Sequence, residues 1–188
     1  MQNIVNTNEQ EKRCLSLRVN GVIFSEDEKA DNAILQKRVY DKVLQPILTL
    51  AKSSKKIDRV PSLANTITSC FRVRSASALT GTASPPPVVV KIASEQIRLA
   101  ILQSKRRGIP SPSPSEVDMG IRHFSIQEDL TPQAYSLLRE LKRREEVDRA
   151  WSISGKLRFT LTGSDRVHFV RSVYDKADSI VTIAMSKS

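Results

Sequence analysis

The chain has 188 residues, of which 39% are hydrophobic and 5% aromatic, so it can form one domain or two small ones with mainly aliphatic cores. Thirty basic residues against twenty acidic ones give a net charge of +10, which favours a partner that carries phosphates. No apolar run approaches the length of a membrane span, and residues 1–12 are too polar for a secretory signal, so we expect a soluble intracellular protein without a membrane partner.

The two cysteines, Cys14 and Cys70, each lie in an apolar run that resembles a strand. Neither has a second cysteine or a histidine at metal-ligand spacing, so the pattern does not indicate a zinc site. We expect two buried, reduced thiols, and we expect no metal ion or other cofactor.

The first half of the chain alternates strand and helix patterns. Apolar and polar residues alternate in Leu15–Val22, which predicts a strand closed by an Asn-Gly turn. Helical spacing of apolar residues predicts a helix over Asn32–Ser53, and Pro46 inside it should kink or split that helix. Alternation returns in Cys70–Ser75 and predicts a second strand.

The middle of the chain completes a recognisable order of elements. The β-branched run Val88–Ile92 predicts a central strand, and Ser94 is placed to cap a helix that ends at Gly108. A fourth strand is predicted at Ile121–Ser125. Strand-helix-strand-strand-helix-strand is the order of the ferredoxin-like sheet found in RNA-recognition motifs.

The C-terminal part of the chain predicts a separate small α+β unit. Thr131 and Pro132 begin a helix expected to reach Glu146. Strands follow at Trp151–Ile153, Leu157–Leu161 and Val167–Val170, with a turn at Ser154-Gly155 and a final helical turn over Ser172–Ala177. We therefore predict an α+β protein with a polar stub at residues 1–12, a ferredoxin-like domain at 13–126 and a C-terminal domain at 127–188.

Residues suited to catalysis are few. His123 and His168 lie in predicted strands, outside any nucleophile or metal motif, and a structural role is the more common one for such histidines. Ser154-Gly155-Lys156 lacks the upstream glycine and the following hydroxyl of a phosphate loop. The Glu128-Asp129 pair precedes a helix N-terminus, where negative charge is stabilising. We expect that the chain is not an enzyme.

Basic residues offer a better case for a binding function. The predicted central strands carry no aromatic residue for base stacking, so binding would depend on lysine and arginine reaching phosphates. Arg139 and Arg143 are four residues apart and share a face of the predicted C-terminal helix, from which Lys142 and Arg149 are also expected to project. Interleaved glutamates leave a second interpretation open, a solvated helix surface with ion pairs. A basic domain with no nucleic-acid role also stays open.

Three stretches together resemble the first open-reading-frame protein of LINE-type retrotransposons. Glu9–Val22 is similar to the junction between the family's coiled coil and its first strand, and Pro87–Gly108 to the third strand and second helix of its RNA-recognition domain. Asp129–Pro132, Arg139-Glu140 and Gly155–Phe159 resemble its C-terminal domain. The resemblance extends over roughly residues 9–175.

The resemblance implies a chaperone of nucleic acids that binds single-stranded RNA, and possibly DNA, without sequence specificity. RNA would lie in a basic cleft between two domains of a cytoplasmic ribonucleoprotein particle, with a nuclear location also open. The candidate nucleic-acid-binding residues, from the resemblance and the basic segments together, are Arg74, Lys91, Lys105, Arg106, Arg107, Arg139, Lys142, Arg143, Lys156 and Arg158.

Two features differ from the family pattern. The segment Ala76–Ser84 carries no charge where the family is often basic, and about a dozen residues precede the first predicted strand, too few for a trimeric coiled coil. Homo-oligomers are therefore expected only if a coiled coil lies outside this chain. The alternative function is a non-enzymatic protein-interaction domain of related fold, since few-polyhedra proteins of baculoviruses have a similar terminal domain.

Overall fold

The computed structural model describes residues 9–22, 27–73, 85–118 and 123–186. The chain forms two compact units: an N-terminal unit, Leu15–Gln127, and a C-terminal unit, which consists of Met1–Cys14 and Glu128–Ser188. Helices and antiparallel strands occur in both units, so the α+β prediction is confirmed. Within the described ranges, no helix is long and apolar enough to span a bilayer.

A four-stranded sheet forms the N-terminal unit's framework. Its strands are β1 (Ser16–Asn20), β2 (Ile67–Arg72), β3 (Val88–Ile92) and β4 (Ser125–Glu128), in the spatial order β2-β3-β1-β4. Strand β3 pairs antiparallel with both β1 and β2. The first and third strands in the sequence, β1 and β3, are therefore central, and the second and fourth, β2 and β4, form the edges.

The helices of this unit follow β1 and β3. They are α1 (Asp27–Ala30), α2 (Asn32–Val39), α3 (Gln45–Ser53), α4 (Leu63–Thr66), α5 (Glu95–Gly108) and α6 (Pro114–Asp118). A π-helical turn at Tyr40–Leu44 joins α2 to α3, and the Gln45 N–H donates to the Tyr40 carbonyl. Pro46 is the second residue of α3, in the first turn, where a missing N–H is tolerated, and the predicted division of the helix near Pro46 is confirmed by the π-helical turn before it. Ser94 caps α5 through the Ile97 N–H, as predicted.

One face of this sheet packs against the helices, and the other is partly exposed, since Ser16 and Val89 on it are buried. Leu17 and Val19 of β1 enter the core, because alternate residues of a strand point to opposite faces. The main core residues from the other elements are Val43, Leu44, Ile47, Leu48, Val88, Val90, Ile92, Ala100 and Ile101. On the opposite face, Arg18 and Phe71 flank Val89, and Lys91 lies between Ser16 and Ser69.

Strand β2 begins earlier in the sequence than predicted, and strand β4 begins later. Strand β2 starts at Ile67 instead of Cys70, and a bulge near Ile67 interrupts the alternation that would have revealed its start. Strand β4 lies at Ser125–Glu128, whereas the sequence predicted Ile121–Ser125. Ile126 and Glu128 are buried along β4, so a polar-looking segment forms the strand. Ile121 and Arg122 lie outside the described residues.

The described part of the C-terminal unit contains a three-stranded antiparallel sheet, two helices that pack against it, and a short helical segment at residues 9–12. The strands β5 (Val147–Ile153), β6 (Lys156–Leu161) and β7 (Val167–Phe169) lie side by side in sequence order. Helices α7 (Pro132–Leu141) and α8 (Ala177–Met185) contribute Leu137, Leu141 and Val181 to the core around Phe159 and Leu157. The Thr131 hydroxyl accepts the Ala134 N–H, which confirms the predicted cap.

Two helix boundaries in this unit were predicted incorrectly. Helix α7 ends at Leu141, not Glu146, because the charged run after Leu141 offers no apolar side chain to the core. Strand β5 consequently begins at Val147. The predicted final turn at Ser172–Ala177 instead precedes a helix, α8, whose β-branched residues masked its helical pattern. Packing of Ala177 and Val181 against the core supports α8 despite that composition.

The segment before β1 belongs to the C-terminal unit. The Gln10 side chain accepts the Thr131 N–H at 3.0 Å and donates to the Asp129 carbonyl at 3.2 Å. Arg13 forms an ion pair with the buried carboxylate of Asp129 at 3.3 Å. These contacts join residues that are 116 to 121 positions apart in the chain, a feature that local sequence patterns do not encode.

The two cysteines differ in exposure, contrary to the expectation that both are buried. Cys70 is 1% exposed, whereas Cys14 is exposed. The prediction for Cys14 was wrong because the chain turns before β1 begins, and Cys14 lies in that turn and not in the strand. Burial raises the pKa of the Cys70 thiol to about 12.

Gly21 should be difficult to replace, because its φ is +89° and a Cβ there would lie 2.5 Å from the His123 carbonyl oxygen. Gly163 has a φ of +79° but open space around it. We expect Gly163→Ala to lower the free energy of unfolding by about 1–2 kcal/mol and Gly21→Ala by clearly more, since a steric clash adds to the same backbone strain. Urea unfolding followed by circular dichroism measures both, and equal losses would contradict the close approach at Gly21.

Cys14 should react with a thiol reagent in the native protein at pH 8, and Cys70 should not. A pKa of about 12 leaves Cys70 only about one thiolate in ten thousand at pH 8, and the thiolate is the reactive form. In Cys14→Ser, labelling should therefore follow unfolding. Rapid labelling of folded Cys14→Ser would show that Cys70 is accessible.

Candidate nucleic-acid interface

Three side chains form a row across the exposed face of the C-terminal sheet. Arg158 of β6 pairs in register with Trp151 of β5 on one side and Phe169 of β7 on the other. Directly opposed residues on neighbouring strands lie on the same face of a sheet. The core takes the alternate residues Leu157 and Phe159, so the row faces away from α7 and α8. We call Trp151, Arg158 and Phe169 the aromatic row.

Arg158 packs against an aromatic ring within this row. Its guanidinium carbon lies 5.0 Å from the centre of the Phe169 ring, within the range of a cation–π contact. The Nε atom of Arg158 is buried and has no hydrogen-bond partner. Among the described residues, no carboxylate forms an ion pair with Arg158, so its positive charge is not neutralised by a neighbour there.

Two further cations lie on the same sheet face, one on each side of the row. Arg149 is two residues before Trp151, and Lys156 is two residues before Arg158, so the alternation of each strand places them on this face. Lys156 is exposed. Arg149 forms an ion pair with the adjacent Asp148 at 3.2 Å, and both side chains are well exposed, so this ion pair is weak. The face therefore combines flat rings with exposed positive charges.

Apolar side chains are also exposed on this face. Ile153 continues β5 beyond Trp151 and is 37% exposed, and Val167 precedes Phe169 on β7 and is 38% exposed. Phe169 itself is 61% exposed. A partner that binds here must accommodate apolar and aromatic surface as well as positive charge.

The predicted residues of the N-terminal unit do not converge on one surface. Lys91 is exposed on the sheet face opposite the helices, whereas Arg106 and Arg107 are exposed in the last turn of α5, in the helix layer. Lys105 donates to the Ile126 carbonyl at 2.6 Å and so connects α5 to β4. This bond gives Lys105 a structural role. Arg74 lies outside the described residues.

In the C-terminal unit the predicted residues divide between two layers. Lys156 and Arg158 lie on the exposed sheet face, but Arg139 is exposed on α7, which covers the other face. Lys142 is the C-cap residue directly after α7, and Arg143 follows it. The expectation that Arg139 and Arg143 share a helix face was wrong, because it required a helix to Glu146.

Sequence reasoning missed the aromatic row although a signal for it was present. A two-residue turn at Ser154-Gly155 pairs Ile153 with Lys156 and therefore Trp151 with Arg158. The predicted hairpin, read in register, would have placed the tryptophan beside the arginine. Arg149 was expected on the helix and lies instead on β5. Phe169 required the pairing of β7 with β6, which no turn signal fixes.

The turn at Ser154-Gly155 is occupied by a carboxylate of the chain itself. The Glu128 side chain accepts the Ser154 N–H at 2.7 Å and the Gly155 N–H at 3.3 Å. In a phosphate loop these backbone N–H groups would bind the ligand. Here they already bind Glu128, which argues against a phosphate loop at Ser154-Gly155-Lys156. Glu128 acts here as an anchor, which goes beyond the favourable charge near a helix start that the sequence indicated.

Within the described residues, His168 packs in a way that indicates a structural role, and metal-ligand clusters are absent. His168 stacks on Phe159 with ring centres 5.2 Å apart, and burial followed by the nearby charge of Arg166 lowers its pKa. Across the described ranges, no group of three histidine, cysteine or acidic residues is arranged to hold a metal ion. The expectation that the chain is not an enzyme stays a prediction.

Comparison with known proteins does not identify a family for this chain. No protein-family model matches the chain, and no curated protein matches it. The function must therefore be argued from the site.

Glu128→Gln should destabilise the C-terminal unit, since a carboxylate that accepts two backbone N–H groups contributes more than a neutral amide. We expect a loss of about 2 kcal/mol in the free energy of unfolding, within the range for hydrogen bonds to charged groups. Urea unfolding followed by the fluorescence of Trp151 reports on this unit. Glu145→Gln, at an exposed position, is the matched control and should change little; equal effects would show that the turn does not depend on Glu128.

Proposed function

We propose that the chain binds single-stranded nucleic acid, RNA in the first place, without sequence preference and without catalysis. The aromatic row, with Arg149 and Lys156 beside it, is the observation that carries this proposal. Flat aromatic and guanidinium groups accept bases of any identity, and exposed cations contact phosphates. The net charge of +10 is in keeping with a polyanionic partner.

The architecture of the N-terminal unit supports the same proposal at the level of the fold. The order β2-β3-β1-β4, with helices after β1 and β3, is compatible with the ferredoxin-like sheet of RNA-recognition motifs. Its exposed face carries Arg18, Lys91 and, on the edge strand β2, Phe71, which is 54% exposed. We accordingly propose a chaperone-like module of a LINE-type ribonucleoprotein particle, in line with the resemblance in sequence.

A second candidate function is favoured by the exposed apolar residues. Ile153 and Val167 lie on the same face as the aromatic row, and Ile183 and Met185 of α8 are each 55% exposed. Apolar surface beside cations also suits a protein-interaction domain. Such a partner would bind through buried apolar contacts, so its affinity would depend only weakly on salt.

Fluorescence anisotropy of a labelled single-stranded RNA, measured at several salt concentrations, tests the proposed function. We expect sequence-indifferent binding that weakens steeply with salt, because each neutralised phosphate releases counterions. Lys156→Gln should reduce the slope of log K against log salt by about 0.7, the contribution of one phosphate contact on a single strand. Lys52→Gln removes an equal charge from an exposed position at the end of α3 and should leave the slope unchanged.

Arg139→Gln distinguishes the two cationic layers of the C-terminal unit. If the exposed sheet face carries binding, this variant should lose less affinity than Lys156→Gln, because Arg139 lies on the helix layer. A larger loss of affinity for Arg139→Gln would show that the RNA contacts α7, where the sequence resemblance places the contact. Absence of binding at low salt would contradict the proposed function and favour the protein-interaction alternative.

A further inference from the structure

We propose that the aromatic row binds unpaired bases by stacking, so that the C-terminal unit selects single strands with intact bases over duplexes and over abasic strands of equal charge. This inference rests on the proposed function and adds the chemical group that the site recognises. The bases would contact Trp151, Arg158 and Phe169, and the phosphates would contact Arg149 and Lys156.

The spacing of the row suits flat ligands. Neighbouring strands are about 4.8 Å apart, so Trp151 and Phe169, on the two outer strands, are separated by roughly 10 Å with Arg158 between them. Phe169 is 61% exposed, and only one of its sides lies against the guanidinium. A large exposed ring is costly to keep in water, and a base stacked on it would remove that apolar surface from the solvent.

Arg158 is less exposed than the cations that we expect to bind phosphates. A phosphate-binding side chain extends freely into solvent, as the exposed Lys156 does. Arg158 is half-buried, its Nε is enclosed without a partner, and its guanidinium lies over a ring. A guanidinium group is planar and can stack on a base, which is a contact that lysine does not reproduce.

Selection of single strands follows from the kind of contact. In a duplex the faces of the bases are stacked on one another, so they are not offered to protein rings, whereas the phosphates stay accessible. A surface that used only Arg149 and Lys156 would bind duplex and single strand alike. The presence of two aromatic residues in register with an arginine is therefore what predicts discrimination.

Trp151 makes this inference directly measurable, because it is the single tryptophan of the chain. We would titrate the whole chain with a single-stranded oligonucleotide, with its duplex, and with an abasic oligonucleotide of the same length and charge. Trp151 fluorescence reports stacking, and anisotropy reports binding. We expect quenching by the intact single strand alone, and an affinity for it about tenfold above that for the abasic strand, as one stacked base would give.

Two variants test the row itself. Phe169→Leu keeps an apolar side chain and should lower the affinity for the intact strand by about five- to tenfold, with little change for the abasic strand. Arg158→Lys keeps the charge and should lower the affinity for the intact strand while the salt slope stays the same. Tyr174→Leu, at an exposed aromatic residue outside the strands of the C-terminal unit, is the matched control and should leave the quenching of Trp151 intact.

The outcomes separate this inference from the proposed function. Equal affinity for intact and abasic strands, without quenching, would overturn base stacking and leave phosphate binding in place. Equal quenching by the duplex would overturn the selection of single strands. Absence of binding to every oligonucleotide would overturn both proposals.

Discussion

The register of the β5–β6 hairpin is the constraint on which the candidate site depends. Ser154 and Gly155 have φ values of +51° and +75°, which is the left-handed conformation that a tight two-residue hairpin turn requires. Glu128 accepts the N–H groups of both residues, so the turn is held from outside the hairpin as well as within it. A slip of one residue would transfer Trp151 and Arg158 to the core face and bring Phe159 to the surface.

The same hairpin explains why one face of the sheet is not covered by α7 and α8. Helices α7 and α8 supply enough apolar surface to cover one side of a three-stranded sheet, and Phe159 and Leu157 meet them there. The alternate residues then face outward whatever their chemistry. In most small domains such residues are polar, whereas here they include Trp151, Ile153 and Phe169. Retention of this apolar surface beside Arg158 is the physical basis of the proposed site.

Contacts distant in sequence complete the C-terminal unit. Gln10 and Arg13 bind the backbone and side chain around Asp129, and a Cβ at Gly155 would lie 2.4 Å from the Gln10 side chain. The hairpin turn thus needs glycine for two reasons, its positive φ and the close approach of Gln10. The start of the chain contributes in this way to the geometry of a turn more than a hundred residues later.

The sequence by itself determined the elements whose signals are local: the Ser94 and Thr131 caps, the interruption at Pro46 and the turn at Ser154-Gly155, because each depends on neighbouring backbone groups. It also determined the charge on which a phosphate-bearing partner is proposed. The tertiary structure decided where α7 ends, that α8 forms, and that Lys105 connects α5 to β4, because distant packing and hydrogen bonds outweigh local propensity there. It alone brought Phe169 beside Arg158, since the pairing of β7 with β6 involves contacts between residues distant from the turn, such as the stacking of His168 on Phe159.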